Sequence, residues 1–342
     1  MSLETLPPLR DLLEANGLWA RKAFGQHFLL DLNITRRIAR LAEVGPADHV
    51  IEVGPGPGGL TRALLETGAR VTAVEKDERF RPLLAELTAA TDRLDLIFAD
   101  ALQVDETSIA GATHVVSNLP YNVGTPLLIK WLTGPWTPRS MTLMFQREVA
   151  DRITAAAGDE AYGRLAVIAQ ATAQARRVMD VPARAFSPPP KVESAVVRIV
   201  PHAQRPSADQ LKALQIVTAA AFGQRRKMLR SSLRNLGGEP LIHAAHLDPT
   251  ARAEVVDVAG FLRLAEAWSQ SFTASPPEKR RARGSEERRR GQFCATEAAD
   301  TAAPDPFARR GTLTITRKYV LLLFKLVRRK PLPKPVYFNP KQ

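Results

Sequence analysis

The chain has 342 residues, 45% of them apolar, and a formal net charge of +13. That length suggests two domains with an ample core, and the single cysteine, Cys294, excludes intramolecular disulfides and cysteine-rich zinc sites while fitting a reducing cytoplasm. No charged stretch followed by an apolar core opens the chain, and its longest apolar run, 320–324, is too short to span a bilayer, so neither a secretory signal nor a membrane segment is expected.

Along the chain, His49-Val50-Ile51-Glu52-Val53 reads as a strand running into Gly54-Pro55-Gly56-Pro57-Gly58-Gly59, with a helical pattern opening at Leu60-Thr61. Strand, glycine turn and helix in succession let backbone approach a cofactor closely. Gly54, Gly56 and Gly59 formally satisfy the dinucleotide fingerprint, but the two prolines leave few free amides to cradle a pyrophosphate. The bland reading is a plain tight turn. The next strand, Val71-Thr72-Ala73-Val74, ends in Glu75-Lys76-Asp77, and Glu75 lies 21 positions after Gly54. An acid there is placed to accept hydrogen bonds from ribose hydroxyls, a need common to nicotinamide cofactors and S-adenosylmethionine. A third strand, Leu94-Asp95-Leu96-Ile97-Phe98, leads to Asp100-Ala101, an acid and a small residue able to receive an adenine amino group.

The fourth apolar run, Thr113-His114-Val115-Val116-Ser117, reads as a buried parallel strand and delivers Asn118-Leu119-Pro120-Tyr121. This turn suits methylation of an exocyclic amine on a planar base. The Asn118 oxygen and a turn carbonyl can accept hydrogen bonds from the amino group, drawing its lone pair out of conjugation. Pro120 stiffens the turn and the Tyr121 ring offers a stacking face. Asn and Pro are also ordinary turn residues, which is the alternative. Four successive strand ends thus present glycine or polar groups on one edge of an open α/β sheet, where ligands of such sheets bind.

Phe186 precedes the stiff run Ser187-Pro188-Pro189-Pro190 and reads equally as a cover for the second face of the base or as a core anchor for the loop. A closing strand, 194–200, gives way to a polar linker, 201–207, and then to helical spacing through Leu211, Leu214, Ile216, Val217 and Phe222. Arg225, Arg226 and Lys227 are consecutive; Arg226, Arg230 and Arg234 stand four apart, which predicts one helix face for phosphate contacts or a merely solvated basic surface. Lys22, Arg147 and Lys191 are candidates to extend that surface toward the site. Residues 275–342 hold 17 Lys and Arg against 6 Asp and Glu, leaving 31 against 29 for the body. The tail reads as a disordered basic extension without an essential role, and RNA binding by the body must rest on local patches.

With these motifs the chain resembles the ribosomal RNA small-subunit adenine dimethyltransferase family. The resemblance adds Lys22-Ala23-Phe24-Gly25-Gln26-His27-Phe28-Leu29-Leu30-Asp31, the Phe186 proline loop with Lys191-Val192, and Ala221-Phe222-Gly223-Gln224-Arg225-Arg226-Lys227, and spans about 10–272. It implies a Rossmann-like class I methyltransferase sheet over 1–200, a small all-helical RNA-binding domain over 207–273 and a separate tail from 275. It further implies S-adenosylmethionine as donor and dimethylation of N6 on two adjacent adenines near the 3′ end of small-subunit RNA, late in assembly. The expected cofactor contacts are Gln26, His27, Leu29, Gly54, Gly56, Glu75, Lys76, Asp100, Ala101 and Asn118. The catalytic set is Asn118, Leu119, Pro120, Tyr121 and Phe186, and the RNA contacts are Lys22, Arg147, Lys191, Arg225, Arg226, Lys227 and Arg230. His27 stands where many members have Asn, and its planar ring can keep the contact. Direct in-line transfer without a covalent intermediate or a metal is expected, from a cytoplasmic monomer acting on the pre-small ribosomal subunit, without a membrane. The competing readings are the large-subunit methyltransferase of the antibiotic-resistance type, a noncatalytic assembly factor on the same scaffold, and a nicotinamide-dependent oxidoreductase.

Overall fold

In a computed structural model of the chain, residues 6–18 and 27–273 are described. The tail expected from 275, Lys22 and Gln26 lie outside them. The elements in chain order are α1 (Leu9–Ala15), β1 (Phe28–Leu29), α2 (Leu32–Ala42), β2 (His49–Val53), α3 (Gly59–Glu66), β3 (Arg70–Glu75), α4 (Arg81–Ala90), β4 (Leu94–Phe98), β5 (His114–Asn118), α5 (Gly124–Thr133), β6 (Ser140–Gln146), α6 (Arg147–Thr154), α7 (Arg164–Thr172), β7 (Ala173–Val181), β8 (Phe186–Ser187), β9 (Ser194–Pro201), α8 (Ala208–Gly223), α9 (Leu229–Ser232), α10 (Gly238–Ala244) and α11 (Val258–Thr273).

Seven strands form one sheet in the order β4-β3-β2-β5-β6-β9-β7. The first five of these run parallel, while β9 pairs antiparallel with both β6 and β7. Parallel strands need helical crossovers, and both sheet faces are therefore covered. Alternate side chains go to opposite cores. Val50, Val71 and Ala73 join Ile38, Leu64 and Leu84 on one face, whereas Ile51, Val74 and Val115 join Leu127, Trp131 and Ile153 on the other. A third core unites Tyr162, Ala166 and Val167 with Leu211, Leu214, Leu229 and Phe261 of the C-terminal helices. The chain runs from β2 outward to β4 and then returns to the other side of β2 with β5, so the strand order reverses between β2 and β5. A cleft opens at such a reversal because the two flanking crossovers leave in opposite directions.

One expected element is not formed. Helix α8 starts at a capping box, with the Ser207 hydroxyl accepting from Gln210 N and the Gln210 side chain accepting from Ser207 N, and it ends at Gly223. The next backbone amides turn elsewhere: Lys227 N donates to Gln224 O, Leu229 N to Ala251 O and Arg230 N to Pro249 O. Pairing with 249–252 thus replaces helical hydrogen bonds. Arg226 lies in a turn, Arg230 in the short α9 and Arg234 in a separate 3-10 turn, so the three do not share a helix face.

Candidate active site

The site grows from the ends of β2, β3 and β5. Beyond Val53 the chain must turn sharply, and Gly54 does so at φ +68°. A Cβ on Gly54 would stand 3.3 Å from the Pro120 ring, so the glycine turn and the Asn118–Tyr121 turn approach through a missing side chain. Gly59 serves a second close approach, since a Cβ there would meet the Leu29 carbonyl at 2.9 Å. Ser117 Oγ donates to the Val53 carbonyl at 2.5 Å and ties the two strand ends across the reversal.

Around this junction lies an open cleft with about 690 Å³ of empty space, solvent at its mouth included. Its wall brings together His27, Leu29, Gly54, Gly56, Glu75, Asn118, Leu119, Pro120 and Tyr121. Glu75 is held by three backbone donors, Lys76 N and Asp77 N on Oε1 at 2.8 Å each and Gly56 N on Oε2 at 3.1 Å. Burial raises its carboxyl pKa, and these donors temper the rise. The Asn118 side chain forms no hydrogen bond among the described residues and stands at the cavity wall. The Tyr121 hydroxyl is bonded to Ser194 Oγ at 2.7 Å, which fixes its ring, and the His27 ring lies 5.7 Å away at 33°. His27 Nδ1 meets the Pro188 carbonyl at 2.8 Å. A carbonyl only accepts, so Nδ1 carries a hydrogen in this contact.

Asp100 and Ala101 follow β4, one strand further along the same edge, and with Lys76, which follows Glu75 at the end of β3, they lie outside the cavity wall. Asp100 bonds Lys76 Nζ at 2.8 Å and Leu102 N at 3.0 Å. Burial works to raise its pKa, but the Lys76 and Leu102 bonds and the charges of Lys76 and Lys130 outweigh it, and the net direction is down. The loop after Asp100 is pinned to α5, the helix that follows the Asn118 turn. Lys130 Nζ donates to Ala101 O at 3.0 Å, Val104 O at 2.5 Å and Glu106 Oε1 at 2.8 Å, and the same Oε1 accepts from Trp131 Nε1 at 2.7 Å.

Phe186 is placed in the core. It is 4% exposed, joins the cluster of Phe28, Leu84 and Val196, and pairs through its backbone with Leu29, leaving it off the cavity wall. Of the two readings of Phe186, the loop anchor matches this placement. The candidate phosphate contacts among the described residues are on the surface, unevenly available. Arg147 pairs with Glu193 at 2.6 Å, Arg225 with Glu254 at 3.3 Å and Arg230 with Glu239 at 3.9 Å. Lys191, Arg226 and Lys227 are exposed and unpaired among the described residues.

Sequence reasoning passed over Glu52. It is 1% exposed, lines the cavity, and its Oε2 has no hydrogen-bond partner. Burial pushes its carboxyl up to about 8, with the Glu75 charge adding to the rise and the Thr61 hydroxyl tempering it without meeting hydrogen-bond geometry. An acid inside an otherwise apolar parallel strand was the available signal, because both faces of such a strand are buried. Among the described residues no group of His, Cys, Asp and Glu could hold a metal ion, and no helix is long and apolar enough to cross a membrane.

The model of a family described as ribosomal RNA adenine dimethylase matches residues 17–270. A protein of Phenylobacterium zucineum called ribosomal RNA small subunit methyltransferase A is 78% identical over 270 residues, covering 78% of this chain and 95% of its own. Its namesake in Caulobacter vibrioides is 70% identical over 250 residues, covering 72% and 97%. Among solved structures, a dimethyladenosine transferase from Plasmodium falciparum superposes with a TM-score of 0.61 at 24% identity, over 71% of this chain and 98% of its own, a likeness of fold. The 23S rRNA methyltransferase ErmE gives 0.54 at 28%, over 71% and 99%.

Proposed function

This chain belongs to the ribosomal RNA adenine dimethylase family, and we propose that it dimethylates N6 of two adjacent adenines near the 3′ end of small-subunit ribosomal RNA, late in assembly of that subunit. The observation that carries the reading is the junction of an unpartnered Asn118 amide with the glycine turn and the amide-anchored Glu75 in one cavity.

The donor is S-adenosylmethionine, which supplies a methyl already activated on a sulfonium centre. Residues of the wall and of the strand end beside it fit this donor. Glu75 is oriented to accept from ribose hydroxyls, Asp100 and Ala101 flank the place for the adenine, and the bare Cα of Gly54 allows close approach. Asn118 Oδ1 and the Leu119 carbonyl accept the N6 hydrogens of the target adenine, which frees its lone pair for attack. Tyr121, locked by Ser194, presents a ring face to the base. Because the donor is activated, the protein's contribution is placement and exclusion of water, with no covalent intermediate. An unstacked adenine is needed, and RNA tertiary structure lowers the cost of exposing one.

Of the candidate cations among the described residues, Lys191, Arg226 and Lys227 are free to meet phosphates, with residues 207–273 as the RNA-binding lobe. The protein works in the cytoplasm as a monomer on the pre-small subunit. A large-subunit substrate is the second reading, favoured by the likeness to the 23S enzyme.

The test is methyl transfer from labelled S-adenosylmethionine to small subunits lacking adenine dimethylation, beside large subunits. Dimethyladenosine in small-subunit RNA, lost with Asn118→Ala, is the expected result. Label on large subunits supports the second reading. Absence of label on both, with cofactor bound, would make the protein an assembly factor without catalysis.

A further inference from the structure

One helix stands between the loop after Asp100 and the turn at Asn118. Helix α5 starts from that turn: Val123 N and Gly124 N both donate to the Pro120 carbonyl at 3.1 Å. Its inward side chains Leu127, Leu128, Trp131 and Leu132 are buried. A Cβ on Gly124 would stand 3.2 Å from the Phe145 ring. A helix seated this closely on its sheet has little freedom to slide. Lys130 lies about 9 Å further along the same helix.

The Lys130 ammonium is spent on the neighbouring loop. It has three hydrogens to donate, and its acceptors are Ala101 O at 3.0 Å, Val104 O at 2.5 Å and Glu106 Oε1 at 2.8 Å. Neither carbonyl accepts a backbone amide among the described residues. Glu106 is held in turn by the buried Trp131, whose Nε1 donates to the same oxygen at 2.7 Å. The amides of Leu102 and Gln103 run back to Asp100 and tie the loop only to itself. Ala101, Leu102 and Val104 also pack on the core beneath α5, but apolar contact is non-directional and does not set register. Lys130 is therefore the directional link from this loop to α5. It is not on the cleft wall.

In the cofactor reading given above, on which this inference rests, the loop after Asp100 receives the adenine of the cofactor, and the Asn118 turn receives the adenine of the RNA. We infer that Lys130 is a positioning residue that holds these two adenine sites in register and so fixes the distance over which the methyl is transferred. In-line transfer tolerates little displacement, and a misplacement of about 1 Å can cost about a hundredfold in rate. Without the ammonium the cofactor's loop shifts on its apolar contacts, while α5 and the Asn118 turn stay in place. The lesion is then at the adenosyl end of the cofactor and not at the RNA.

The test compares the full-length parent with Lys130→Met and Lys130→Arg, each checked for folding by its melting curve. In Lys130→Met the KM for S-adenosylmethionine should rise about tenfold and kcat should fall by about tenfold or more, with the KM for small subunits lacking dimethylation unchanged. Adenosine and S-adenosylhomocysteine, titrated separately, should lose affinity by the same factor, because both carry the adenine. Lys130→Arg, which keeps a cation with several donors, should recover most of the loss. A merely structural role would lower the folded fraction and leave every constant of the folded protein as in the parent. A second readout uses the parent alone. If the clamp favours the ligand, the ligand favours the clamp by the same factor. S-adenosylhomocysteine should therefore slow chemical labelling of the Lys130 amine and leave that of the exposed Lys212 unchanged. Parental affinities in folded Lys130→Met, a change confined to the KM for RNA, no recovery in Lys130→Arg, or labelling of Lys130 indifferent to ligand would overturn the positioning role and leave the cofactor reading standing. Failure of the parent to bind S-adenosylhomocysteine would overturn both.

Discussion

Both edges of the parallel sheet bury polar side chains, but the C-terminal edge leaves two without a partner at the cavity while bonding Glu75 and Ser117 beside them. At the N-terminal edge His114 bridges Ser140 Oγ at 2.9 Å and Asp48 Oδ1 at 3.2 Å, and His49 bridges the Ala110 carbonyl at 2.9 Å and Thr72 Oγ1 at 2.7 Å. Every ring nitrogen has a partner. Asp48, His114 and Ser140 even share the residue types of a hydrolytic triad, but Ser140 is 4% exposed and sits away from the cavity. At the C-terminal edge Asn118 and Glu52 face the cavity with hydrogen-bonding capacity unspent. A satisfied buried network stabilises the fold and is chemically idle, whereas an unsatisfied group beside a cavity costs stability and awaits a ligand.

This contrast predicts where substitutions act. Asn118→Ala should give the largest change in turnover, a loss of roughly a hundredfold or more, the scale of removing one preorganised hydrogen-bonding group at a reacting centre. Cofactor affinity measured by titration should fall as well, by less than turnover; unchanged turnover would place the chemistry elsewhere. Lys130→Met should cost about 3 kcal/mol in denaturant unfolding, because Glu106, 6% exposed, would keep a charge without its ion-pair partner. It should also weaken cofactor binding, since the loop carrying Asp100 and Ala101 is pinned by that ammonium. His114→Ala should lower stability by about 1–3 kcal/mol, the cost of orphaning buried partners. The kcat/KM of the folded fraction should match the parent's, and a selective loss of activity would erase the distinction between the edges.

The last comparison is pH dependence, where the edges should oppose each other. The histidines His49 and His114 have lowered pKa values, chiefly from burial. The unfolded chain therefore binds their protons more readily, and this edge loses stability as pH falls below the ordinary histidine value of about 6.5. Glu52 is raised to about 8. The folded state holds its proton more tightly, so the stabilising contribution is full at low pH and is lost as pH rises from the ordinary carboxylate range through about 8. Melting temperatures across pH 5–9 should show Glu52→Gln removing a fall that runs from about pH 5 to about 8, and His114→Ala reducing the opposite loss below about 6.5.

The strands were legible because each is a short apolar run with a turn signal at its end, and a parallel sheet places successive ends on one edge. That much located Gly54, Glu75 and Asn118 on the cavity wall. The basic residues after Gly223 were misread as one helix face, because the amides of Leu229 and Arg230 bond to carbonyls about twenty positions away. Phe186 stayed ambiguous for the same reason, its placement following from pairing with Leu29. Local order of residues thus determined the elements, the sheet class and the glycine and Asn turns, since these depend on side-chain period and backbone freedom within a few residues. Tertiary structure alone decided which polar groups are satisfied. It turned Lys130 and Glu106 into a clamp on the loop after Asp100 and left Glu52 beside the cavity without a partner, because burial and hydrogen-bond closure depend on chain segments that meet only in the folded state.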